Sequence, residues 1–325
     1  MMTCFDDLSI VLLCKIFDYL SFIELFQAFY GLQKRLDSAI QHYPACIRLS
    51  VLNIPETIRL QCKSLILSTA DVQSFQIRCS NLNFEKLRAV KFEKINLHTL
   101  YSFIDKLPMQ QLESIVVGRF TWYYYPQDFY NQVWSTFMDS TSDVHLRHLH
   151  LPYHIRYWDA KKLSFDLLSL ECATLEYISA TQMVSFITRT PNLRQFKACI
   201  TAPHRDLSRS SISLLKLQHL TLNLQDDWSL EQIQQLLATC PHLIYLNLKL
   251  DVRNDMRIMF EPSTWQKLIE DKLLHLVFLR INLGCIVSDS DENDYQTPFS
   301  QETYWCQRQP HFHVQIRKIQ RNPLK

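Results

Sequence analysis

The sequence contains very little glycine. Only three of its 325 residues are glycine, Gly31, Gly118 and Gly284, and they lie far apart. Gly-rich phosphate loops and the nucleophile elbow of α/β-hydrolases need closely spaced glycines, because only glycine allows the backbone to turn so tightly beside a ligand or a nucleophile. The sequence therefore excludes both kinds of site, and we expect no catalytic residues and no enzyme activity.

The ten cysteines form neither a disulfide framework nor a zinc-binding pattern, since no Cys-x-x-Cys pair occurs. We therefore expect reduced, mostly buried thiols in an intracellular protein, located in the cytoplasm, the nucleus or both. The first apolar run, Ile10 to Cys14, stops at Lys15 and follows Asp6 and Asp7. This arrangement predicts neither a secretory signal nor a membrane span.

An excess of charge of one sign is also missing. The sequence has 34 Lys and Arg against 32 Asp and Glu, which gives a net charge of +2. Basic and acidic residues are interspersed, so we expect neither nucleic acid nor a membrane among the binding partners. With 47% hydrophobic residues the composition is typical of a folded chain with an ample core.

A short pattern, apolar-x-x-apolar-x-apolar, recurs along the chain at spacings of 18 to 34 residues. Repetition at this period is typical of leucine-rich repeats. We predict an α/β solenoid of eight or nine irregular repeats, with parallel strands on its concave side and helices on its convex side. The copies are CKSLIL (62–67), LRAVKF (87–92), LESIVV (112–117), LRHLHL (146–151), LEYISA (175–180), LRQFKA (193–198), LQHLTL (217–222), LIYLNL (243–248) and LVFLRI (276–281).

Helices between the strands are predicted from apolar residues at helical intervals. The sequence SLEQ at Ser229 has the spacing of a capping box and marks the clearest helix start. The predicted helices span 97–107, 128–138, 163–171, 181–189, 229–239 and 263–274.

Side chains alternate along a strand, so positions 3 and 5 of each copy should face outward and positions 1, 4 and 6 inward. The outward set is polar and aromatic with few acids, which suits a protein partner better than a small metabolite. The residues predicted to bind a protein target are Lys91, His148, His150, Tyr177, Gln195, Lys197, His219, Tyr245, Asn247 and Arg280. The other predicted outward residues are Ala89, Ser114, Val116, Ser179, Thr221 and Phe278.

Two histidine pairs have spacings that could bring both rings to one metal ion. These pairs are His148 with His150 and His311 with His313. No acidic or cysteine ligand lies near the first pair in the sequence, so a complete ligand set is missing. We predict structural or surface histidines, with no metal site and no cofactor.

The first 40 residues follow a helical period instead of the repeat pattern. Leu8, Leu12, Ile16 and Leu20 recur every four residues, and Phe17 widens this apolar stripe. Three short helices are predicted here. They can bury only a small core, so part of the stripe is expected to remain available to a partner.

The stretch LSIVLLCKIFDYLSFIEL, from Leu8 to Leu25, resembles the F-box. This family usually begins Leu-Pro-x-Glu-x-Leu-x-x-Ile-Phe-x-x-Leu, followed by a short turn and Asp/Glu-Leu. Ser9 stands where the family has proline, and Val11 stands where it has an acidic residue. The residues on matching positions are Leu8, Leu12, Ile16, Phe17, Leu20, Glu24 and Leu25.

An F-box followed by leucine-rich repeats resembles the substrate receptors of cullin-RING (SCF-type) ubiquitin ligases. The resemblance implies a monomeric chain within a complex, in which the repeats hold an unidentified target protein. It also implies that the S-phase-kinase-associated adaptor of the ligase binds Leu8, Leu12, Ile16, Phe17, Leu20 and Leu25.

The predicted domains are an F-box-like helical module at 1–45, the solenoid at 46–284, and an acidic loop with a cap or tail at 285–325. A second interpretation remains open. In it, the first helices are only a cap that shields the first repeat, since solenoids need capped ends. The protein would then be a repeat scaffold or inhibitor that binds a protein partner without any role in ubiquitin transfer.

Overall fold

The computed structural model divides the chain into two compact units. Unit 1 comprises Met1–Phe129 and Thr136–Leu146, and unit 2 comprises Tyr130–Ser135 and Arg147–Lys325. The structure describes residues 8–17, 19–20, 22–29, 31–32, 34–42, 45–48, 62–68, 84–104, 106–118, 127–140, 145–151, 166–201, 214–225, 228–253, 261–287, 299, 301–308 and 311–320.

Unit 1 begins with three short helices, as predicted. They are α1 Ile10–Phe17, α2 Phe22–Phe29 and α3 Lys34–His42, and α3 packs against the other two. Phe17 and Leu25 are fully buried between them, and the Phe17 ring lies 6.0 Å from the Phe29 ring. Part of the apolar stripe is therefore buried in the core of the module.

Four parallel strands follow in unit 1, each paired with the next. Gly118, directly after the last of them, donates its N–H to the Phe92 carbonyl at 2.7 Å, and a Cβ at this position would lie 2.9 Å from the same oxygen. Glycine is required there by this close approach. The elements are β1 Ala45–Arg48, β2 Cys62–Ser68, β3 Ala89–Glu93, α4 Leu97–Ile104, a 3₁₀ turn Met109–Gln111, β4 Ser114–Val117 and α5 Gln127–Ser140, which the division between the units crosses.

Unit 2 alternates strands and helices, and its strands pair in parallel in chain order. The predicted α/β class with parallel strands is confirmed. The elements are β5 His148–Leu151, β6 Cys172–Ser179, α6 Ala180–Thr188, β7 Gln195–Thr201, β8 His219–Leu224, α7 Leu230–Ala238, β9 Tyr245–Arg253, α8 Pro262–Lys272, β10 Phe278–Val287, α9 Thr303–Gln307 and β11 Phe312–Gln320.

One hydrogen-bond arrangement recurs at the start of the strands in unit 2. The carbonyl at position 2 of one repeat accepts the N–H groups at positions 2 and 3 of the next repeat, at 2.8 to 3.0 Å. Because each carbonyl fixes the next strand, the register is the same from repeat to repeat. The accepting residues are Arg147, Glu171, Arg194, Gln218 and Ile244.

This register corrects one predicted repeat. Cys172 pairs with both His148 and Gln195, so the repeat is LECATL, from Leu170 to Leu175, and LEYISA was the wrong phase. The small Ala173 hid the correct copy, while the segment five residues later fitted the pattern equally well. Residues 166–171 contain a turn where a helix was predicted at 163–171.

Two strands, β1 and β11, were not predicted from the sequence pattern. In β1, Ile47 pairs with Leu65 of β2, and in β11, Phe312 pairs with Leu279 of β10. Their repeats begin with Pro44 and Gln309, and neither supplies the leucine on which the pattern relies. Part of the segment predicted to be a cap or tail at 285–325 thus continues the parallel pairing, whereas the acidic run 288–294 lies outside the described residues.

The inward positions of unit 2 form continuous buried files. Ala173, Phe196 and Leu220 are neighbours at position 4, and each is at most 3% exposed. The small Ala173 leaves room for Phe196, whose ring also stacks on Phe186 of α6 at 6.3 Å. Burying each large apolar side chain stabilises the folded state by roughly 1.5–3 kcal/mol.

In the described part of the chain, no helix has the length and apolar character that a membrane crossing requires.

The contribution of the capping box at Ser229 to stability can be tested by substitution. Ser229 Oγ accepts the Gln232 N–H at 3.2 Å, and Gln232 Oε1 accepts the Ser229 N–H at 2.9 Å. Ser229→Ala should lower the free energy of unfolding by about 1 kcal/mol, measured by urea titration, because the Gln232 N–H loses its hydrogen-bond acceptor. Ser263→Ala in the first turn of α8, where no cap bond exists, is the control and should change it by less than about 0.5 kcal/mol. Equal losses would contradict the role of the box.

Candidate functional site

The predicted outward residues of unit 2 line up across the strands in two files. The third-position file runs through His148, Cys172, Gln195, His219, Tyr245 and Phe278. The fifth-position file runs through His150, Thr174, Lys197, Thr221, Asn247 and Arg280. All of these side chains are at least partly exposed, so the strands present them together on one open face.

Aromatic rings occupy one end of the third-position file. His219 and Tyr245 stack with centroids 5.8 Å apart, and Tyr245 lies 6.4 Å from Phe278. Phe278 then meets His311, which precedes β11, edge to face at 5.0 Å. We call these four residues the ring file. The sequence placed the first three on the outward face but missed the fourth, because β11 was not recognised.

Three cations flank the ring file, namely Lys197, Lys249 and Arg280. Each is exposed, and none forms an ion pair with another described residue. Where the side chains at outward positions of β7 to β11 are described, none is a carboxylate. This part of the face is therefore basic as well as aromatic, although the chain as a whole is nearly neutral.

The other end of the face has a different character. His150 Nε2 lies 3.4 Å from Glu176 Oε1, so a protonated His150 would form an ion pair there. Partial burial raises the pKa of the neighbouring Cys172 thiol, Glu171 raises it further, and Arg194 opposes them. A thiol in this state is a poor nucleophile near neutral pH.

Tyr177, which was predicted to bind the target, does not occupy the third-position file. Cys172 holds that place, and Tyr177 lies within the register shift between Leu175 and Ile178. Its hydroxyl accepts a hydrogen bond from Gln225 Nε2 at 2.6 Å. Ser179 leaves the outward set as well, since its hydroxyl accepts the Gln182 N–H at 3.2 Å and caps α6.

In unit 1, Lys91 is exposed and pairs with Glu93 at 2.7 Å. Its neighbours in the fifth-position register are Ile66 of β2 and Val116 of β4. The outward positions around Lys91 are therefore largely apolar or neutral, unlike the basic face of unit 2. Ala89 and Ser114 pair at the third position of the same strands.

A cavity of about 370 Å³ opens beside His311 in unit 2. Its wall is about equally polar and apolar, with Leu274 and Phe312 among the lining residues, and Glu270 and Arg308 contribute charges of opposite sign. The Arg308 guanidinium carbon lies 4.1 Å from the centre of the Tyr304 ring, an arrangement typical of a cation–π contact. The cavity has the size of a small-ligand pocket and could accept an apolar side chain.

The predicted adaptor-binding residues of unit 1 do not all face outward. Leu12 is 48% exposed, and Leu8, Ile16 and Leu20 are partly exposed. Phe17 and Leu25 are fully buried, so neither can contact a partner while the module is folded. Their apolar character serves the core of the helices.

Other apolar residues of the module are exposed in their place. Val11 is 67% exposed and Tyr19 is 90% exposed, both in or just after α1, and Leu32 is exposed in the turn before α3. We call Val11, Leu12 and Tyr19 the α1 apolar group. The matching pattern overlooked Val11, Tyr19 and Leu32, because a helical stripe reports which residues are apolar and not which of them the small core leaves uncovered.

No group of three or more potential metal ligands comes together among the described side chains. His148 and His150 lie on the same face of β5, and no third described ligand completes a metal site with them or with His311 and His313. Burial raises the pKa of the Cys240 thiol to about 11, opposed by a hydrogen bond from Thr239.

These thiols make a second prediction. At pH 7 a maleimide should label exposed Cys306 first, Cys172 more slowly and Cys240 only after unfolding, as followed by peptide mass spectrometry. A raised pKa keeps a thiol protonated at neutral pH, so labelling of Cys172 should keep accelerating as the pH rises above 7. Labelling in urea, where all thiols are accessible, is the control. Equal labelling of Cys240 and Cys306 in the folded protein would contradict the burial.

Comparison with known proteins adds no assignment to this geometry. No protein-family model and no curated protein matches the chain. The basis for a function is therefore the α1 apolar group in unit 1 and the open strand face in unit 2.

Proposed function

We propose that this protein is an F-box/leucine-rich-repeat substrate receptor of a cullin-RING ubiquitin ligase. The observation that carries the proposal is the α1 apolar group, which leaves large apolar side chains exposed on a small helical module that precedes a series of parallel strands. Exposed apolar groups of this kind typically mark a surface that a protein partner covers. The F-box resemblance of the same helix names the partner, the S-phase-kinase-associated adaptor.

In this role the protein catalyses no reaction itself. The adaptor binds the α1 apolar group, and the open face of the strands binds the target protein. Holding a target beside the ubiquitin-loaded enzyme raises its effective concentration and turns an encounter in solution into an intramolecular step. Such a complex operates in the cytoplasm, the nucleus or both.

The buried and the exposed apolar side chains of the module have different roles. Leu13, Phe17 and Leu25 are each at most 1% exposed and hold the helices together. Leu12 is adjacent to Leu13 in the same helix but lies on its exposed side. The F-box resemblance therefore contains both core residues and contact residues, and only the contact residues should affect adaptor binding in a folded protein.

A second function is favoured by one contact. Helix α2 packs against β1, the first strand of unit 1, so the helices cover a sheet edge. A scaffold or inhibitor with a helical cap would use the same contact without any adaptor. In that case removal of residues 1–45 should unfold unit 1, and the adaptor should not bind.

The third prediction separates the two functions. The full chain should co-purify with the S-phase-kinase-associated adaptor, and Leu12→Asp should weaken this binding at least about tenfold, because a charge replaces an apolar contact. Binding is measured by titration calorimetry with purified proteins. The matched control is Leu215→Asp, the same change at a leucine of unit 2 that is 60% exposed.

Both variants should retain the circular dichroism of the unmodified protein, since each altered side chain is exposed. Undiminished adaptor binding by Leu12→Asp, or an equal loss with Leu215→Asp, would contradict adaptor docking at α1. Absence of any binding by the unmodified chain would favour the scaffold.

A further inference from the structure

The ring file presents ring edges, not ring faces, over part of its length. The planes of His219 and Tyr245 differ by only 23°, with centroids 5.8 Å apart. Rings stacked in this way cover one face of each other, so a partner lying on the strands meets their edges and the Tyr245 hydroxyl. The last pair is edge to face, and Phe278 remains 43% exposed there.

The described charges at the outward positions of β7 to β11 have one sign, whereas Glu270 contributes a carboxylate to the cavity beside His311. Lys197, Lys249 and Arg280 are exposed without an ion pair to any described residue. Elsewhere Arg88 pairs with Glu113 at 3.8 Å and Arg189 with Asp166 at 3.5 Å, whereas Lys267 is exposed without an ion pair to a described residue. Among the described outward side chains of β7 to β11, no carboxylate complements these three cations.

We propose that the ring file and its flanking cations bind an extended acidic segment of the target protein. Apolar side chains of the segment contact the rings, and its carboxylates contact Lys197, Lys249 and Arg280. The proposal rests on the role of the open face as the target-binding surface of the proposed receptor, and it specifies the chemistry of that target.

The spacing of the rings fits an extended polypeptide. Alternate residues of an extended chain lie roughly 6.6 Å apart, and the centroids of the ring file are separated by 5.0 to 6.4 Å. A strand-like segment crossing the face can therefore place every second side chain near one ring. The intervening residues then point toward the cations or the solvent.

The same observations disfavour a nucleic acid. Bases stack on open ring faces, and the stacking of His219 on Tyr245 covers one face of each ring. Phosphate backbones also need many cations, because affinity grows with the number of phosphates neutralised. The three cations among the described outward side chains of β7 to β11 suit a few carboxylates better than a continuous line of phosphates.

The test uses fluorescein-labelled twelve-residue probes and the full chain in a fluorescence polarisation titration. A peptide of alternating Glu and Tyr should bind at least about tenfold more tightly than a peptide of alternating Lys and Tyr, since only the first offers carboxylates. It should also bind more tightly than alternating Glu and Ser, which lacks rings. Raising the salt concentration should weaken the interaction, because the cations are exposed.

Variants locate the binding on the face. Arg280→Glu and Phe278→Ser should each weaken binding of the Glu–Tyr peptide at least about fivefold, through the charge and the ring contact respectively. The matched control is Lys267→Glu, a reversal of charge at an exposed position of α8, and it should leave the affinity within about twofold. Circular dichroism checks the fold of all three variants.

Equal binding of the Lys–Tyr peptide, an unchanged affinity of Arg280→Glu, or tighter binding of a twelve-residue oligothymidylate would overturn the inference. The proposed receptor role fails in a different experiment. Peptide binding without adaptor binding would retain the acidic target and remove the ubiquitin role. Adaptor binding without peptide binding would do the reverse.

Discussion

The constant register between neighbouring parallel strands is the constraint on which the organisation of unit 2 depends. The residue before each of the strands β5 to β9 has a carbonyl that accepts two N–H groups of the next repeat, as Arg194 does from Gln218 and His219. Side chains alternate along a strand, so a fixed register turns every position into a file across the sheet. Each inward file then needs only apolar residues, and the outward files can carry polar and aromatic groups.

The helical module shows how a small core divides one apolar stripe. Phe17 and Leu25 are buried in the core of the module, whereas Val11, Leu12 and Tyr19 stay exposed. Three helices of eight or nine residues have too little interior to cover all of these side chains. An exposed apolar group is costly in water unless a partner covers it. That physical cost is the reason to look for a partner at α1.

The two ends of the open face differ in charge, and this difference bears on selectivity. Near β5 and β6, Glu176 approaches His150, while the outward positions of β7 to β11 that are described hold cations and no carboxylate. An acidic partner is attracted to the second region and repelled by Glu176 at the first. Electrostatic complementarity of this kind fixes the position of a bound segment more than it raises affinity.

The sequence by itself determined the α/β class, the parallel strands and most of the outward positions of unit 2, because the period of two residues along a strand is visible in apolar spacing. It also identified the capping box at Ser229, a purely local signal. Only the tertiary structure decided the phase of the repeat at Leu170, where Ala173 pairs with Phe196, and the existence of β11, whose repeat begins with Gln309. Those features depend on pairing between strands distant in sequence. The same reason hid the fourth ring, since His311 joins Phe278 only through that pairing.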